Sequence, residues 1–322
     1  MKILFYGFRH PHIYGLYKLA KDNPRVEIVA CIEEDENARR TAEEKLGIKF
    51  DCTSQEKWLL KDIDVVAIGG RFGDRGEAII KALKVGKNII ADKPICTKKE
   101  EYEEIARLVK ETNLKVACMF DLRYIPSARV AKALFKSGEM GEVRNVSFTG
   151  QHCLDYANRP SWYFEENMHG GTLNDLAIHG VDLITHLTGL KINEVNSARC
   201  WNAYATEQKD FKDCATFMAT LENGAGVIAD VSYSAPPIVY STDIYWNFKF
   251  WCDKGLVTFS LNSPNCIVYK FGEKEPIVYE GKKDTANYLD DLLDEIETNG
   301  SSMTESVLCT TKQAIVLQSK SK

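Results

Sequence analysis

The sequence has 322 residues, of which 44% are hydrophobic and 27% charged, and its formal net charge is -5 at pH 7. This length predicts two domains, because a single hydrophobic core seldom grows beyond about 250–300 residues. The acidic balance argues against nucleic-acid or membrane-surface binding, and apolar runs such as Val65–Ile68 are too short to span a bilayer. The N-terminus lacks a signal-peptide pattern, and the ten cysteines include no C-x-x-C pair. We therefore expect a cytoplasmic protein with reduced thiols.

Short apolar runs alternate with helical patterns in the front part of the chain. The runs that predict strands lie at 2–6, 26–32, 64–68, 88–91 and 115–119. The helical patterns lie at 14–21, 37–46, 77–85 and 98–112, and glycines stop two of them at Gly47 and Gly86. Continuous apolar strands separated by helices predict a parallel sheet covered on both faces. Right-handed crossovers then make residues 1–121 a doubly wound Rossmann domain.

The turn after the first strand is where such a domain carries G-x-G-x-x-G and brings its backbone close to a pyrophosphate. Here the turn reads Gly7-Phe8-Arg9-His10-Pro11-His12. Gly7 keeps the first glycine, whereas Arg9 and His12 replace the second and third. Arg9 could meet a phosphate with its charged fork, and His10 and His12 could border the same site. Alternatively, these side chains simply point to solvent, so the loop alone leaves cofactor binding open.

Two glutamates end the second predicted strand. Glu33 lies about 20 residues beyond the loop, where a carboxylate accepts hydrogen bonds from the adenosine ribose hydroxyls. Its neighbour Glu34 is negative where an NADP enzyme usually has an arginine, so this position favours NAD over NADP. The alternative is an ordinary solvated strand end.

A lysine follows the fourth predicted strand, in Asp92-Lys93-Pro94. Ligands of open α/β sheets bind outside the carboxyl ends of the strands. Pro94 restricts the backbone of Lys93, whose side chain could then donate to a substrate hydroxyl or tune a proton transfer beside Asp92. A lone Lys-Pro pair is equally typical of a plain turn.

An acid and a histidine stand four residues apart after Gly170-Gly171. On a helix predicted over 175–187, Asp175 and His179 share one face, which Asp182 continues. A carboxylate beside an imidazole can raise its basicity, as suits a base that removes a hydroxyl proton. A helix N-terminal acid beside a buried structural histidine would produce the same pattern. We predict no metal site, because no third ligand has suitable spacing.

The rear part of the chain has a different pattern, from about residue 141 onward. Runs that predict strands lie at 143–149, 194–201, 215–221, 226–232, 245–252, 256–261 and 266–271. They indicate a large, mainly antiparallel sheet packed on the helix at 175–187, which makes residues 122–322 an α+β domain. Helices are expected at 285–298 and 304–319, the last of them packing near the front domain. His152, Tyr156 and Trp162 are expected to border a substrate cleft.

Several motifs in order resemble the Gfo/Idh/MocA family of oxidoreductases, over nearly the whole chain. They are Asp92-Lys93-Pro94 for the family's Glu-Lys-Pro, Arg123-Tyr124-Ile125-Pro126 for its arginine-aromatic stretch, the glycine turn at 137–143, and the Gly-Gly-x-Leu-x-Asp-x-x-x-His-x-x-Asp pattern from Gly170 to Asp182.

The resemblance implies an NAD(P)-dependent dehydrogenase that transfers hydride between nicotinamide and a secondary hydroxyl or carbonyl of a sugar, cyclitol or related polyol. It implies that Lys93 orients the reacting hydroxyl and that His179 is the general acid/base. Asp175 would bind a substrate hydroxyl or pair with His179, and Arg123 would lie at the substrate site. It also implies a homodimer or homotetramer through the C-terminal sheet, to which the aromatic residues at 245–251 could contribute unless they form core.

Two segments depart from the family pattern. The loop lacks two glycines, and the family's Thr-Pro-Asn-x-x-His segment is replaced by residues 69–75. We expect this segment to line the cofactor still, through Gly69, Gly70, Arg71 and Arg75, with Arg75 in the place of the histidine. The departures leave two alternatives open, namely an inactive sensor or scaffold of the same fold and an NAD-assisted glycosidase.

Overall fold

The computed structural model describes residues 1–51, 59–60 and 62–322, so that Cys52 lies outside the described residues. The chain divides into two compact units. The first comprises Met1–Met119, Asn167–Gly170 and Asn287–Thr311, and the second Phe120–Glu166, Gly171–Ala286 and Lys312–Lys322. The functional boundary between residues 121 and 122 stays a prediction.

The first unit contains a five-stranded parallel sheet with the order β2-β1-β3-β4-β5. Its strands are β1 Lys2–Tyr6, β2 Glu27–Ile32, β3 Val65–Ile68, β4 Asn88–Ala91 and β5 Val116–Cys118. The central strands are buried along most of their length, as expected for a sheet covered on both faces. The predicted doubly wound sheet is confirmed, and its strand order reverses beside β1.

Within the described ranges, the connections between these strands contain the helices α1 His12–Asp22, α2 Glu36–Leu46, α3 Phe72–Lys84 and α4 Lys99–Thr112. Asp35 begins α2 by accepting a hydrogen bond from the amide of Ala38 at 2.8 Å, and Gly47 ends it in the left-handed conformation, as predicted. The predicted start of α3 at residue 77 is wrong. The helix begins at Phe72, which places most of the segment 69–75 in its first turns.

The second unit contains an eight-stranded sheet with the order β13-β12-β11-β10-β6-β9-β8-β7. Its strands are β6 Val143–Gln151, β7 Ile192–Trp201, β8 Cys214–Leu221, β9 Gly226–Ser232, β10 Asn247–Cys252, β11 Gly255–Ser260, β12 Asn265–Lys270 and β13 Ile277–Glu280. All neighbours are antiparallel except β6 and β9, so the predicted mainly antiparallel sheet is confirmed.

The second unit contains the helices α5 Pro126–Lys136 and α6 Ile178–Thr188. Helix α7 Tyr288–Thr298 belongs to the first unit, and α8 Ser302–Lys320 begins in the first unit and ends in the second. The sequence did not predict α5, in which Pro126 occupies the first turn. It also did not predict β13, a short edge strand without a fully buried residue. No helix in the described ranges is long and apolar enough to cross a membrane.

Most of the aromatic residues of β10 and its approach belong to the core. Trp246, Phe248 and Phe250 are between 0% and 3% exposed, whereas Trp251 is 48% exposed. The alternation of a strand places Phe248 and Phe250 on the inner face of the sheet and Trp251 on the outer face. The suggestion that this whole group faces a second subunit is therefore wrong for the three buried side chains.

Helix α6 approaches the sheet closely at Gly180. A Cβ atom at this position would lie 2.2 Å from two carbon atoms of the Phe148 ring on β6. The close approach brings the helix that carries His179 onto the sheet of the second unit.

We predict that Gly180→Ala destabilises the protein by about 1–3 kcal/mol, because the added methyl overpacks a ring with no exposed space to enter. Urea denaturation followed by circular dichroism measures the change. Gly15→Ala is the matched control, since Gly15 is also helical and its Cβ would meet nothing within 4 Å. The control should be neutral or stabilising by up to about 1 kcal/mol, and equal effects of the two substitutions would contradict the packing argument.

Candidate functional site

The loop between β1 and α1 lies against the carboxyl end of β3. Gly7 has a φ of +83°, and a Cβ on it would stand 2.6 Å from the amide nitrogen of Gly70. The amides of Arg9 and His10 both donate to the carbonyl of Gly69, at 3.1 and 3.3 Å. Two loop amides are thus bound to the protein itself, so the loop presents side chains as well as backbone to a ligand.

Glu33, the predicted ribose ligand, is 3% exposed and holds the loop in place. Its carboxylate accepts hydrogen bonds from the Phe8 amide at 2.6 Å, the Arg9 side-chain Nε at 2.9 Å and the Asp35 amide at 2.8 Å. A carboxylate has about four acceptor positions, so these bonds use most of them. The role of Glu33 toward a ribose stays a prediction.

Arginine side chains stand beside the two glutamates. Arg39, which the sequence did not indicate, donates from Nη1 to the carbonyl oxygens of Glu33 and Glu34, both at 2.9 Å. Arg9 also lies 3.4 Å from a carboxylate oxygen of Asp35. Arg39 follows Glu33 by six positions, so the position of its guanidinium depends on where α2 begins.

A cleft of about 250 Å³ opens at the carboxyl ends of β1, β2 and β3 in the first unit. It lies where open α/β sheets bind their ligands. Its lining includes charged side chains of both signs, and among the predicted cofactor residues it contains Gly7, Arg9, Glu33, Glu34, Gly70, Arg71 and Arg75. The guanidinium of Arg71 is bound by the carboxylate of Asp74 at 2.6 Å.

Four residues surround the buried carboxylate of Asp92, and we refer to these five residues together as the Asp92 cluster. Asp92 Oδ2 lies 2.5 Å from His10 Nδ1 and 2.7 Å from Arg75 Nη2. Asp92 Oδ1 lies 3.1 Å from His12 Nδ1 and accepts from the amide of Lys93 at 2.8 Å. Three side chains and one backbone amide group thereby surround a single negative charge.

Protonation in the Asp92 cluster follows from burial and charge. Burial lowers the pKa of His10 to about 3, against the opposing attraction of Asp92. Burial alone would raise the pKa of Asp92, but the guanidinium of Arg75 and the two imidazoles hold it well below its usual value. A neutral His10 bonded to an ionised carboxylate must donate its Nδ1 proton.

The ligand atoms of His10, His12 and Asp92 lie within 4.8 Å of one another, which is a set that could hold a metal ion. However, Arg75 already pairs with the carboxylate, and its side chain is completely buried. A divalent cation would have to enter beside that positive charge at low local dielectric, which argues against a metal here.

Lys93 is 2% exposed and follows β4 directly, as predicted. Its Nζ lies 5.6 Å from the centroid of the Phe72 ring, and the Lys93–Pro94 peptide bond is cis. Arg75 donates from Nη1 to the carbonyls of Lys93 and Pro94, at 2.6 and 3.2 Å. The replacement of the family's histidine by Arg75 therefore supplies contacts to the backbone of the lysine segment.

In the second unit, Asp175 lies in a π-helical turn, Leu173–Ala177, rather than in a regular helix. The predicted helix at 175–187 is therefore present, but its first turn is π-helical, in which hydrogen bonds span five residues instead of four. Asp175 accepts a hydrogen bond from the hydroxyl of Tyr233. Burial, and next the Asp175 carboxylate, raise the pKa of Tyr233 well above its usual value.

Tyr233 was missed by the sequence argument. It follows β9, in which Val227, Ala229 and Val231 are buried at alternate positions, so Tyr233 continues this inward row. The alternation of buried residues along β9 would have been sufficient to identify Tyr233 from the sequence. Because the Tyr233 hydroxyl donates to Asp175, this row of inward-facing β9 residues ends at the candidate catalytic residues.

His179 and His152 lie among aromatic rings. The centroid of the Trp246 ring is 5.4 Å from that of His179 and 5.7 Å from that of His152. The His152 ring also lies 5.8 Å from Tyr245 and 6.1 Å from Tyr240. The rings of His152 and His179 therefore both lie beside the ring of Trp246.

The remaining predicted substrate residues have other surroundings. Arg123 pairs with Asp182 in a buried two-pronged ion pair, in which Nε donates to Oδ2 at 2.8 Å. Asp182, which follows His179 by three positions on α6, is thus engaged by Arg123. Trp162 is buried against Tyr163, and Tyr156 is exposed, with its hydroxyl accepting from Gln208. Substrate contact by any of these side chains stays a prediction.

A doubly wound parallel sheet with a charged cleft at its carboxyl edge defines the first unit as a dinucleotide-binding type of domain. Residues 9–120 match the model of an oxidoreductase family with an NAD-binding Rossmann fold. Residues 128–258 match the model of the GFO/IDH/MocA C-terminal domain. The chain belongs to the Gfo/Idh/MocA family of oxidoreductases, which confirms the family indicated by the motifs.

Curated relatives match parts of the chain. Levoglucosan dehydrogenase of Pseudarthrobacter phenanthrenivorans is 32% identical over 133 residues, which are 40% of this chain and 34% of that protein. The NAD(+)-dependent scyllo-inositol 2-dehydrogenase of Bacillus subtilis is 30% identical over 198 residues, which are 59% of this chain and 56% of that protein. The chain thus spans from a third to somewhat over half of these relatives.

Solved structures match the fold over the whole chain. An oxidoreductase from Erwinia carotovora atroseptica superposes with a TM-score of 0.89 at 21% identity, over 100% of this chain and 99% of that one. A 3-ketoreductase from Actinomadura kijaniata, in complex with NADP, has a TM-score of 0.81 at 15% identity, over 100% of this chain and 98% of that one. These similarities establish the fold.

We predict that stability falls as the pH falls from about 6.5 toward about 3, because unfolded histidine titrates near about 6.5 while burial lowers the pKa of His10 and His186 to about 3. In that window the unfolded chain binds protons that the folded chain excludes. Each histidine contributes a slope of up to about 1.4 kcal/mol per pH unit.

Urea denaturation at a series of pH values tests this dependence. His10→Gln and His186→Gln should each lower the slope of stability against pH by up to about 1.4 kcal/mol per pH unit, which corresponds to one proton. The two histidines lie in different units, so each variant tests one unit. An unchanged slope in both variants would show that neither imidazole is kept neutral by burial.

Proposed function

We propose that the protein is an NAD-dependent dehydrogenase that transfers hydride between nicotinamide and a secondary hydroxyl or carbonyl of a sugar, cyclitol or related polyol. The observation that carries the proposal is the cleft at the carboxyl ends of β1, β2 and β3 in a family described by its NAD-binding Rossmann fold. It is supported by the presence of Lys93, Asp175 and His179 at the positions of the family's motif.

The residues of the cleft fit a dinucleotide. A Cβ on Gly70 would meet nothing within 4 Å, so a ligand has access to this stretch of backbone. Arg9 provides positive charge for phosphates, and Glu33 and Glu34 provide acceptors at the end of β2. Bound NAD would supply the hydride chemistry, and the protein would supply alignment.

The protein's own groups would handle the proton. When an alcohol is oxidised, a hydride leaves the carbon and a proton leaves the oxygen, and His179 would accept that proton. Asp175, fixed by the Tyr233 hydroxyl, would bind a substrate hydroxyl or orient His179. Lys93, held through its backbone by Arg75, would donate to the reacting oxygen.

Side chains of the second unit favour a hydroxyl-rich substrate. The relatives with 32% and 30% identity are a levoglucosan and a scyllo-inositol dehydrogenase. Hydroxyl-rich rings are bound by hydrogen-bonding groups beside aromatic faces, which His152, Tyr240 and Tyr245 provide together. We therefore infer a cyclic polyol or sugar, with His152 among its contacts.

NAD is proposed over NADP because Glu33 and Glu34 line the cleft and would repel a 2′-phosphate. Arg9 and Arg39 lie beside these carboxylates and partly offset their charge. The preference for NAD therefore depends on whether the two carboxylates repel a 2′-phosphate more strongly than the two guanidinium groups attract it. Direct titration with both cofactors measures this preference.

Titration of the purified protein with NADH and NADPH, followed by tryptophan fluorescence, tests cofactor binding. We expect NADH to bind at least about tenfold more tightly than NADPH. A panel of inositols and anhydro-sugars then serves to find turnover. His179→Asn should retain NADH affinity and lower kcat by about 10²–10⁴-fold, because the proton acceptor is removed while the cofactor residues remain.

His186→Asn is the matched control, because it changes another histidine of α6, which is half-buried, pairs with Lys132 and is not part of the proposed site. It should leave kcat within about threefold of the original. Absence of NADH and NADPH binding would refute the proposal. Binding without turnover would indicate a sensor, and release of free sugar from a glycoside without net NADH would indicate a glycosidase.

We propose in addition that the outer face of the second unit's sheet joins two or more copies of this chain. Met218, Ile228 and Trp251 are about half exposed there, at 52%, 52% and 48%. Met218 and Ile228 are directly paired between β8 and β9. An exposed sheet face with apolar side chains can meet its own copy across a twofold axis, as homodimers do. We also propose that the protein is cytoplasmic.

Light scattering after size-exclusion chromatography tests this assembly. We expect a mass of at least twice the 36.4 kDa of the chain, and a monomer for the double variant Ile228→Lys/Trp251→Lys, because two buried lysines would be left without partners. Val85→Lys, at a 40% exposed apolar position of the first unit, should leave the mass unchanged. A monomeric original protein, or a double variant that remains oligomeric, would contradict the assignment.

A further inference from the structure

We propose that Asp92 is a positioning residue for the dinucleotide, which it holds indirectly by fixing the loop between β1 and α1 through His10 and His12. The inference rests on the proposed function, since it concerns how the same cofactor is bound. Asp92 adjoins Lys93, yet its structural partners are mostly in the loop and in α3.

The carboxylate of Asp92 has no capacity left for a ligand. It is 0% exposed, and its two oxygens have four protein partners in His10, His12, Arg75 and the amide of Lys93. A carboxylate offers about four acceptor positions. Any influence of Asp92 on a cofactor must therefore pass through these neighbours.

The two histidines are the neighbours at the candidate cofactor turn, since His10 lies in the loop and His12 is the first residue of α1. His12 replaces the third glycine of the nucleotide-binding pattern, and its side chain is 35% exposed. Each imidazole is held to Asp92 by Nδ1, which directs the Nε2 edge of the ring away from the carboxylate. The same carboxylate thus sets the orientation of both rings.

Arg75 extends this constraint to two further segments. Its Nε donates to the Gly70 carbonyl at 2.9 Å, and its Nη1 donates to the Lys93 carbonyl at 2.6 Å. The Gly69 carbonyl in turn accepts from the Arg9 and His10 amides. The loop, the end of β3 and the lysine segment are therefore connected through one ion pair.

The loop lacks the glycines that normally allow backbone to approach a pyrophosphate, and two of its amides are already used. Side chains must supply the contacts in their place, and side chains need to be held in one rotamer to do so. The Asp92 cluster provides this order, which a glycine loop would not require.

Asp92→Asn is the principal test. Asparagine keeps the size of the side chain but offers one oxygen acceptor and an amide that donates toward groups that are themselves donors. We expect the Kd for NADH to rise at least about tenfold, with a smaller change in kcat at saturating cofactor. The Kd is measured by fluorescence titration, and folding by the cooperative thermal transition.

Glu295→Gln is the matched control. Glu295 is a buried carboxylate of the same unit, and it accepts hydrogen bonds from the Met303 amide and the Thr304 hydroxyl. Its substitution removes a comparable buried charge away from the loop. We expect lower stability but an NADH Kd within about twofold of the original.

A double-mutant cycle shows whether Asp92 acts through the loop. His12→Ala should weaken NADH binding about three- to tenfold in the original protein, but less than about twofold in the Asp92→Asn background. Full additivity of the two effects would overturn the proposal. So would a folded Asp92→Asn protein that binds NADH as tightly as the original.

If Asp92→Asn does not fold, the double variant His10→Ala/His12→Ala replaces it. It leaves the Asp92–Arg75 ion pair in place and should still weaken NADH binding at least about tenfold, and unchanged affinity would overturn the proposal. Failure of the unchanged protein to bind NADH would instead refute the proposed function. The two failures are therefore distinguishable.

Discussion

A carboxylate without solvent exposure stays ionised only if the protein replaces the water that it has lost. Asp92 meets this requirement with a guanidinium, two imidazoles and a backbone amide. Because these partners come from different parts of the chain, satisfying one charge brings the loop after β1, the start of α3 and the segment after β4 together. The carboxyl edge of the parallel sheet provides the place, since parallel strands end on the same side.

One parallel and one mainly antiparallel sheet could be predicted from the sequence, because the spacing of apolar residues along a strand depends on which of its faces are buried. Continuous apolar runs such as β3 indicated a strand buried on both faces, and Gly47 marked a helix end through its left-handed conformation. The exceptions have local causes. Edge strand β13 has no buried face to create a pattern, and α5 was obscured by a proline that stands in its first turn. The early start of α3 at Phe72 was hidden by neighbouring glycines.

Single positions of the candidate site could be predicted, whereas their partners could not. Motif spacing pointed to Lys93, Asp175 and His179, but spacing does not show that Tyr233 bonds Asp175 or that Asp182 belongs to Arg123. These contacts join residues far apart in sequence. The π-helical turn at Leu173–Ala177 was also beyond a pattern argument, because an i, i+4 spacing is interpreted with the geometry of a regular helix.

The altered loop shows how one kind of contact can substitute for another. A glycine-rich turn binds phosphate through the close approach of its backbone, whose cost is flexibility of the free loop. Here the Glu33 carboxylate holds Phe8 and Arg9, and Asp92 holds His10 and His12, so the loop is ordered by two buried acids. In the proposed cofactor site, the loss of two glycines replaces a backbone surface by charged and polar side chains. The attraction of such side chains for a phosphate depends on ionic strength more strongly than that of backbone amides.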